Sequence, residues 1–151
     1  MKDSDAVING VWQALRPGGR FVGEMGAAGN IQTVVNAVMA ALATRGIDGR
    51  HYNPWFFPSA SEYSTSLQAR GFYVELIRRF VRPTLLDGDI LPWLKIFTQS
   101  FAQAVKPAER DVLYAEIAAR LEDRLRDSNG RWSVDYVRLQ FKARRPNCSL
   151  P

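Results

Sequence analysis

The chain has 151 residues, of which 46% are hydrophobic and 23% are charged, a balance typical of a folded domain rather than of a disordered segment. No apolar run approaches the roughly 20 residues of a membrane-spanning helix, and the polar start at residues 1–5 does not resemble a secretory signal, so we expect a cytoplasmic protein without a membrane partner. The net charge of +5 would suit nucleic acid, but the arginines between residues 110 and 126 alternate with acids as on a solvated helix face, so we expect no nucleic-acid partner.

Two residue types limit the chemistry further. Cys148 is the one cysteine of the sequence and lies in a polar tail, so no internal disulfide is possible, and no metal site is expected. His51 is the one histidine and stands in a loop with no visible nucleophile beside it. A hydrolase built on a Ser–His or Cys–His couple is therefore a poor interpretation.

The first third of the chain predicts a helix, a strand and a second helix. The first helix ends near Leu15, and residues 20–25 form a short strand after a turn that contains proline and two glycines. Residues 26–29 are a loop of small residues, and Asn30 is a suitable N-cap for a helix over 31–44.

The remaining pattern adds a loop, three helices and two strands. Residues 47–58 form a loop rich in aromatic side chains, and Ser59 or Ser61, with Glu62, is expected to cap the helix that follows and ends at Gly71. The further elements are a strand over 72–77 that continues more weakly to Phe80, helices over 90–105 and 108–126, and a strand over 132–141. This order predicts an α/β fold with a three-stranded sheet that has an open edge.

The loop of small residues has the look of a nucleotide-binding turn but not its spacing. Gly23, Gly26 and Gly29 do not match Gly-x-Gly-x-x-Gly, and Asp48 follows a helix rather than a second parallel strand. A tight turn that needs small residues for packing is one interpretation. We favour another, in which the turn lines the mouth of a substrate pocket.

Four stretches in this order resemble one family. The first two are a Leu-x-Pro-Gly-Gly turn with the strand after it (Leu15–Phe21) and the glycine-rich end of that strand (Glu24–Asn30). The others are the aromatic loop with its helix and next strand (Pro54–Pro58 with Tyr63, Gly71 and Phe72) and the start of a helical insertion (Arg82–Thr84 with Trp93). Together they resemble the C-terminal half of class I S-adenosylmethionine-dependent methyltransferases, in the branch similar to trans-aconitate methyltransferase.

The resemblance implies the architecture. It implies the C-terminal part of a Rossmann-like fold, with a mixed three-stranded sheet whose last strand is antiparallel and lies between the other two. The domain would span 1–143, with a helical insertion at 88–127 and a polar tail at 144–151. The chain would start at the helix after the fourth strand of the fold and would be a truncated form of a longer enzyme.

The resemblance also implies the function. The intact enzyme would transfer a methyl group from S-adenosylmethionine to a small-molecule acceptor such as a carboxylate. A carboxylate is nucleophilic and needs no general base, so no catalytic residue is assigned. The Gly-x-Gly loop and acidic residue that hold the cofactor in this family have no counterpart here, so no cofactor-binding residue is assigned and weak or absent binding is expected. The implied substrate-binding residues are Gly26, Gly29, Asn30, His51, Trp55, Phe56, Arg82 and Trp93.

Other interpretations of these residues stay open. Trp55, Phe56 and Trp93 also suit core packing, Arg82 a surface ion pair, and His51 an ordinary loop position. For the whole chain, the alternatives are an inactive interaction module that forms a homo-oligomer through the exposed edge of strand 20–25, and a basic RNA- or DNA-binding domain.

Overall fold

The computed structural model describes residues 4–147, so Cys148 and the end of the predicted tail lie outside the described residues. The chain divides into a sheet unit (4–30, 55–82 and 137–147) and a helical unit (31–54 and 83–136). Among residues 4–147, no helix is both long and apolar enough to cross a bilayer. In chain order the elements are α1 (Ser4–Ala14), β1 (Arg20–Gly26), α2 (Gln32–Ala43), α3 (Ala60–Arg70), β2 (Tyr73–Val81), β3 (Thr84–Leu85), α4 (Ile90–Phe97), α5 (Gln99–Ala102), α6 (Arg110–Leu125), β4 (Ser133–Val134) and β5 (Val137–Arg144), with short 3₁₀ helices at Gly49–Tyr52 and Pro107–Glu109.

The sheet unit has the strand order expected from the resemblance. The order is β1–β5–β2, and β5 is antiparallel to both neighbours, so the last strand does lie between the other two. Alternate residues of β5 are buried, and they form a core with side chains of α1 and α3: Val137, Leu139, Phe141 and Ala143 with Ile8, Tyr63 and Leu67. The alternation of β5 in the sequence therefore reports one covered face.

The opposite face of this sheet carries ion pairs. Glu24 of β1 accepts a hydrogen bond from Arg138 of β5, and Glu75 of β2 pairs with Lys142 and Arg144 at 2.6 Å each. The Lys142 ammonium, followed by the Arg144 guanidinium, holds the pKa of the Glu75 carboxyl below its usual range. On this face, Glu24 and Glu75 of the outer strands therefore each contact basic side chains of the central strand β5.

One predicted strand is wrong in extent. Residues 132–141 do not form a single strand: β4 pairs with β3 in a two-stranded sheet that the sequence did not predict, and Asp135 and Tyr136 interrupt the run. The reason lies at the start of α2. The carbonyl of Asp135 accepts the Ile31 N–H at 3.1 Å, and its carboxylate accepts the Thr33 N–H at 2.9 Å, so the backbone of Asp135 turns out of the strand direction.

The expected cap of α2 is also wrong. The N-cap residue is Ile31, in the left-handed region at φ 47°, and it makes no side-chain cap. Asn30 instead accepts the Val137 N–H through Oδ1 at 2.9 Å, within the sheet unit. By contrast, Ser59 and Glu62 form the predicted capping box at α3, and Gly71 ends that helix at φ 106°.

The helical unit has its own core around α6. Helix α6 packs against α2 and α4, and the buried side chains include Val38, Leu94, Ile117 and Leu121. The predicted helix over 90–105 is divided at Thr98, whose hydroxyl donates to the Leu94 carbonyl and whose backbone leaves helical geometry.

Two arginines of this region, Arg120 and Arg126, have the acidic partners that the sequence predicted. Arg120 bonds Glu116 at 2.8 Å, Arg126 bonds Glu122, and Glu116 also accepts from Arg45 at 2.6 Å. The Arg120 guanidinium, followed by that of Arg45, lowers the pKa of Glu116. Much of the positive charge in this part of the chain is therefore balanced within the helical unit.

Candidate functional site

The candidate site lies at one edge of the sheet in the sheet unit. Since β1 and β2 are each antiparallel to β5, they run in the same direction and their carboxyl ends lie at the same edge. In open α/β sheets this is the edge at which ligands bind. We call it the carboxyl edge and define it by the turn 26–30 and the segment 79–82.

The glycine at the end of β1 is required by its neighbours. A Cβ on Gly26 would lie 2.5 Å from the Phe57 ring and 2.8 Å from Nδ2 of Asn30. The space that a side chain would take is therefore filled by the protein itself. This geometry agrees with the packing interpretation of the small-residue turn. Gly26 could line the wall of a pocket, but it leaves no free space for a ligand.

The backbone N–H groups of the turn are mostly engaged within the sheet unit. Ala27 donates to the Val137 carbonyl at 2.9 Å, Ala28 to the Pro58 carbonyl at 2.9 Å, and Asn30 to the Ala27 carbonyl at 2.8 Å. Asn30 is 5% exposed, and its Oδ1 is taken by Val137. These hydrogen bonds make the turn rigid and leave few donors for a ligand.

Aromatic side chains lie next to the turn. Trp55 stacks on Phe57 with ring centroids 5.8 Å apart and planes inclined by 20°, and the Phe57 ring is the one that contacts Gly26. Phe56 is 37% exposed. Of the two predicted aromatic residues, Trp55 thus belongs to the layer beside the turn, and Phe57, which was not predicted, provides the contact.

Three arginines of the sheet unit reach the carboxyl edge. Arg82 bonds Oε1 of Glu24 at 3.2 Å, and Arg138 bonds the same oxygen at 3.0 Å, so Glu24 joins two guanidinium groups. Arg79 donates through Nε to the Ala28 carbonyl at 3.0 Å. Glu24, Arg79 and Arg138 were not predicted. The signal available for Arg79 was the weak continuation of its strand to Phe80, which brings residue 79 to the strand end.

His51 and Trp93 belong to the helical unit. The His51 side chain is 80% exposed, with Nε2 3.8 Å from Asp48. Trp93 is buried, stacks on Phe97 with centroids 4.7 Å apart, and donates through Nε1 to the Tyr136 hydroxyl at 2.8 Å. Their assignment to a substrate site stays a prediction, as it does for the residues of the carboxyl edge.

Neither the turn 26–30 nor the start of α2, each taken by itself, fits S-adenosylmethionine. The amide of Thr33 at the start of α2, which could bind an anion, already binds the Asp135 carboxylate. The turn amides are engaged as described, and Phe57 fills the space above Gly26. Among residues 4–147, no group of three His, Cys, Asp or Glu side chains could hold a metal ion.

Comparison with known proteins identifies related chains. No family model matches the sequence. The chain is 37% identical over 145 residues to an uncharacterized methyltransferase of Schizosaccharomyces pombe, in a match that covers 94% of this chain and 55% of the relative. The fold is similar to a crystal structure from Bacillus halodurans named as a methyltransferase, with a TM-score of 0.52 and 12% identity over 97% of this chain and 59% of that one. The chain therefore spans about half the length of the curated relative that it matches.

Proposed function

On the premise that this chain has the C-terminal part of the class I methyltransferase fold, we propose that it forms the acceptor side of an S-adenosylmethionine-dependent methyltransferase. The observation that carries the proposal is the 37% identity, over nearly the whole chain, with a relative named as a methyltransferase. The branch similar to trans-aconitate methyltransferase stays a prediction. The predicted domain at 1–143, with an insertion at 88–127 and a tail at 144–151, stays a prediction, and β5 includes Arg144, the first residue of that tail.

We propose a small carboxylate as the acceptor. The carboxyl edge combines arginine side chains, which bind carboxylates through paired N–H donors, with the stacked rings of Trp55 and Phe57, which would exclude water. A carboxylate oxygen is itself a nucleophile, so these residues would only bind and orient it. The proposal thus requires no base, in keeping with a sequence whose one histidine is His51.

The contacts to the cofactor belong, in this proposal, to the remainder of a longer protein. The turn 26–30 and the start of α2 satisfy their own hydrogen bonds, so we assign no step of the reaction through the cofactor to this chain. The missing contacts to the cofactor would correspond to the part of the S. pombe relative that lies outside the match. This chain alone would then be inactive or nearly so.

Methyl transfer from labelled S-adenosylmethionine tests the proposed reaction. A longer reading frame that carries these residues would be incubated with methyl-labelled cofactor and a panel of small mono-, di- and tricarboxylates, with the matching amides as controls. We expect label in a base-labile ester of at least one carboxylate and none in the amides. Label in no small carboxylate, or equal label in the amides, would contradict the acceptor class.

A second candidate function rests on the edge of the sheet. Within residues 4–147, β1 pairs with β5 on one side and no strand covers its other side. Val22 of β1 is 61% exposed. An uncovered edge can pair with a second copy, which would make the chain a dimerising interaction module. Light scattering at increasing concentration distinguishes the two, since a monomer throughout would count against the module.

A further inference from the structure

We propose that Arg79, rather than Arg82, binds the anionic group of the acceptor at the carboxyl edge. This inference rests on the proposed function, because it takes the carboxyl edge as the acceptor side. It adds a residue that the sequence did not single out, and it specifies the ligand as a carboxylate held by one guanidinium group.

The side chain of Arg79 is held in a fixed position. Nε of Arg79 donates to the Ala28 carbonyl at 3.0 Å, and Ala28 is itself held by its N–H bond to Pro58. The turn that the hydrogen bonds make rigid therefore also orients the guanidinium. A pre-oriented donor loses less conformational entropy when a ligand binds.

Gly29 lies next to the Arg79 guanidinium. Gly29 has φ +87°, and a Cβ there would lie 3.2 Å from Nη2 of Arg79. Glycine is favoured twice at this position, once by the left-handed backbone and once by the close guanidinium. The side-chain-free backbone leaves the terminal nitrogens of Arg79 accessible from that side.

The arginines of the sheet unit differ in the partners that they bond. Within the part of the chain that the structure describes, Nη1 and Nη2 of Arg79 have no hydrogen bond or ion pair. Arg82 and Arg138 both bond Glu24, and Arg78 bonds Gln140. A ligand carboxylate at Arg82 would compete with Glu24 for the same charge, whereas at Arg79 it would displace no protein carboxylate.

The geometry of the guanidinium sets the mode of binding. With Nε engaged by Ala28, the edge formed by Nη1 and Nη2 remains for two parallel N–H···O bonds to one carboxylate. Lysine cannot reproduce this arrangement, because its ammonium is a point charge. The assignment therefore predicts a preference for carboxylates and weaker binding when lysine replaces arginine.

Nuclear magnetic resonance of the 151-residue chain tests the assignment without any methyl transfer. Malonate would be titrated while the Ala28 and Gly29 amides and the Arg79 Nε–Hε group are followed, with malonamide as the uncharged control. We expect saturable shifts at these groups with malonate and none with malonamide. Arg79→Gln should weaken binding roughly tenfold or more, because a charge-assisted bidentate contact is lost. Arg78→Gln, on the same strand, should bind within about twofold of the unmodified chain.

A second variant guards against a disturbed turn. If Arg79→Gln moves the Ala27 or Asn30 amide without any ligand, Arg79→Lys decides, since it keeps the charge. We expect it to bind malonate severalfold more weakly, and affinity equal to that of the unmodified chain would overturn the bidentate assignment. No saturable shift in the unmodified chain, or shifts centred away from residues 28, 29 and 79, would overturn the proposal.

The outcome is separable from that of the proposed function. Malonate binding that depends on Arg79, in a longer protein without methyl transfer, would remove the proposed function and leave the anion site. Methyl transfer to a carboxylate that Arg79→Gln leaves unchanged would keep the proposed function and remove this inference.

Discussion

Replacing Asn30 by alanine tests whether this residue is the link that holds the turn 26–30 to β5. Its side chain is 5% exposed, and its Oδ1 accepts the Val137 N–H at 2.9 Å. Alanine would leave the Val137 N–H buried without a partner. The cost of such a group is about 1–3 kcal/mol, and in a chain of this size it corresponds to a fall of roughly 2–12 °C in Tm.

The assay is urea unfolding combined with hydrogen exchange of the Val137 amide. Asn30→Ala should lower the free energy of unfolding by about 1–3 kcal/mol and reduce the protection of that amide. Asn30→Asp, which keeps an acceptor, should restore part of the loss. Asn36→Ala is the matched control, because Asn36 makes an exposed hydrogen bond to Gln32, and it should stay within about 0.5 kcal/mol. Unchanged stability and unchanged Val137 protection in Asn30→Ala would refute the reasoning.

Three further predictions concern other named positions. Gly26→Ala should lower the free energy of unfolding by about 1–3 kcal/mol, since its Cβ would meet an aromatic ring at 2.5 Å. Gly10→Ala, with nothing within 4 Å, should raise the free energy of unfolding by about 0.5–1 kcal/mol. Urea unfolding in which both variants change this free energy in the same direction would contradict the prediction. The pKa of Asp48 should be about 2, because hydrogen bonds from the Arg50 side chain and N–H favour the carboxylate. The stability that this contact contributes is present above the unfolded pKa of Asp48 and is lost as the pH falls through about 2. An NMR titration that finds the ordinary pKa of an aspartate would show that the Arg50 contact is absent in solution. Ser59→Ala should cost about 1 kcal/mol through loss of the capping box at α3, and a thermal melt equal to that of the unmodified chain would show that the cap does not form.

Local sequence signals identified the sheet unit well. The alternation predicted over 132–141 reflects, from residue 137 onward, a strand with one face against α1 and α3, and the Ser59–Glu62 spacing reflects a real capping box. Both signals are local, because a pleat and a cap depend on neighbours within a few residues. The position of β5 between β1 and β2 is not local, and it was available only through the family resemblance.

Two of the failures share one physical origin, which is competition between local preference and distant partners. Asn30 has a good capping side chain, but the Val137 N–H, 107 positions away, takes its oxygen. Asp135 lies in an alternating run, but its oxygens accept hydrogen bonds from the N–H groups of Ile31 and Thr33 at the start of α2, which have no acceptor within the helix. For Arg82 the sequence left open a substrate contact or a surface ion pair, and the structure shows Glu24 beside it.

We propose that these residues supply the acceptor side and that the cofactor contacts lie elsewhere in a longer protein. Titration calorimetry with S-adenosylmethionine tests this central claim most directly. The 151-residue chain and a longer reading frame that carries it would be titrated under the same conditions. We predict one-to-one binding by the longer protein and heats no larger than dilution for the 151-residue chain. Binding of equal strength by the 151-residue chain, or no binding by the longer protein, would contradict the account.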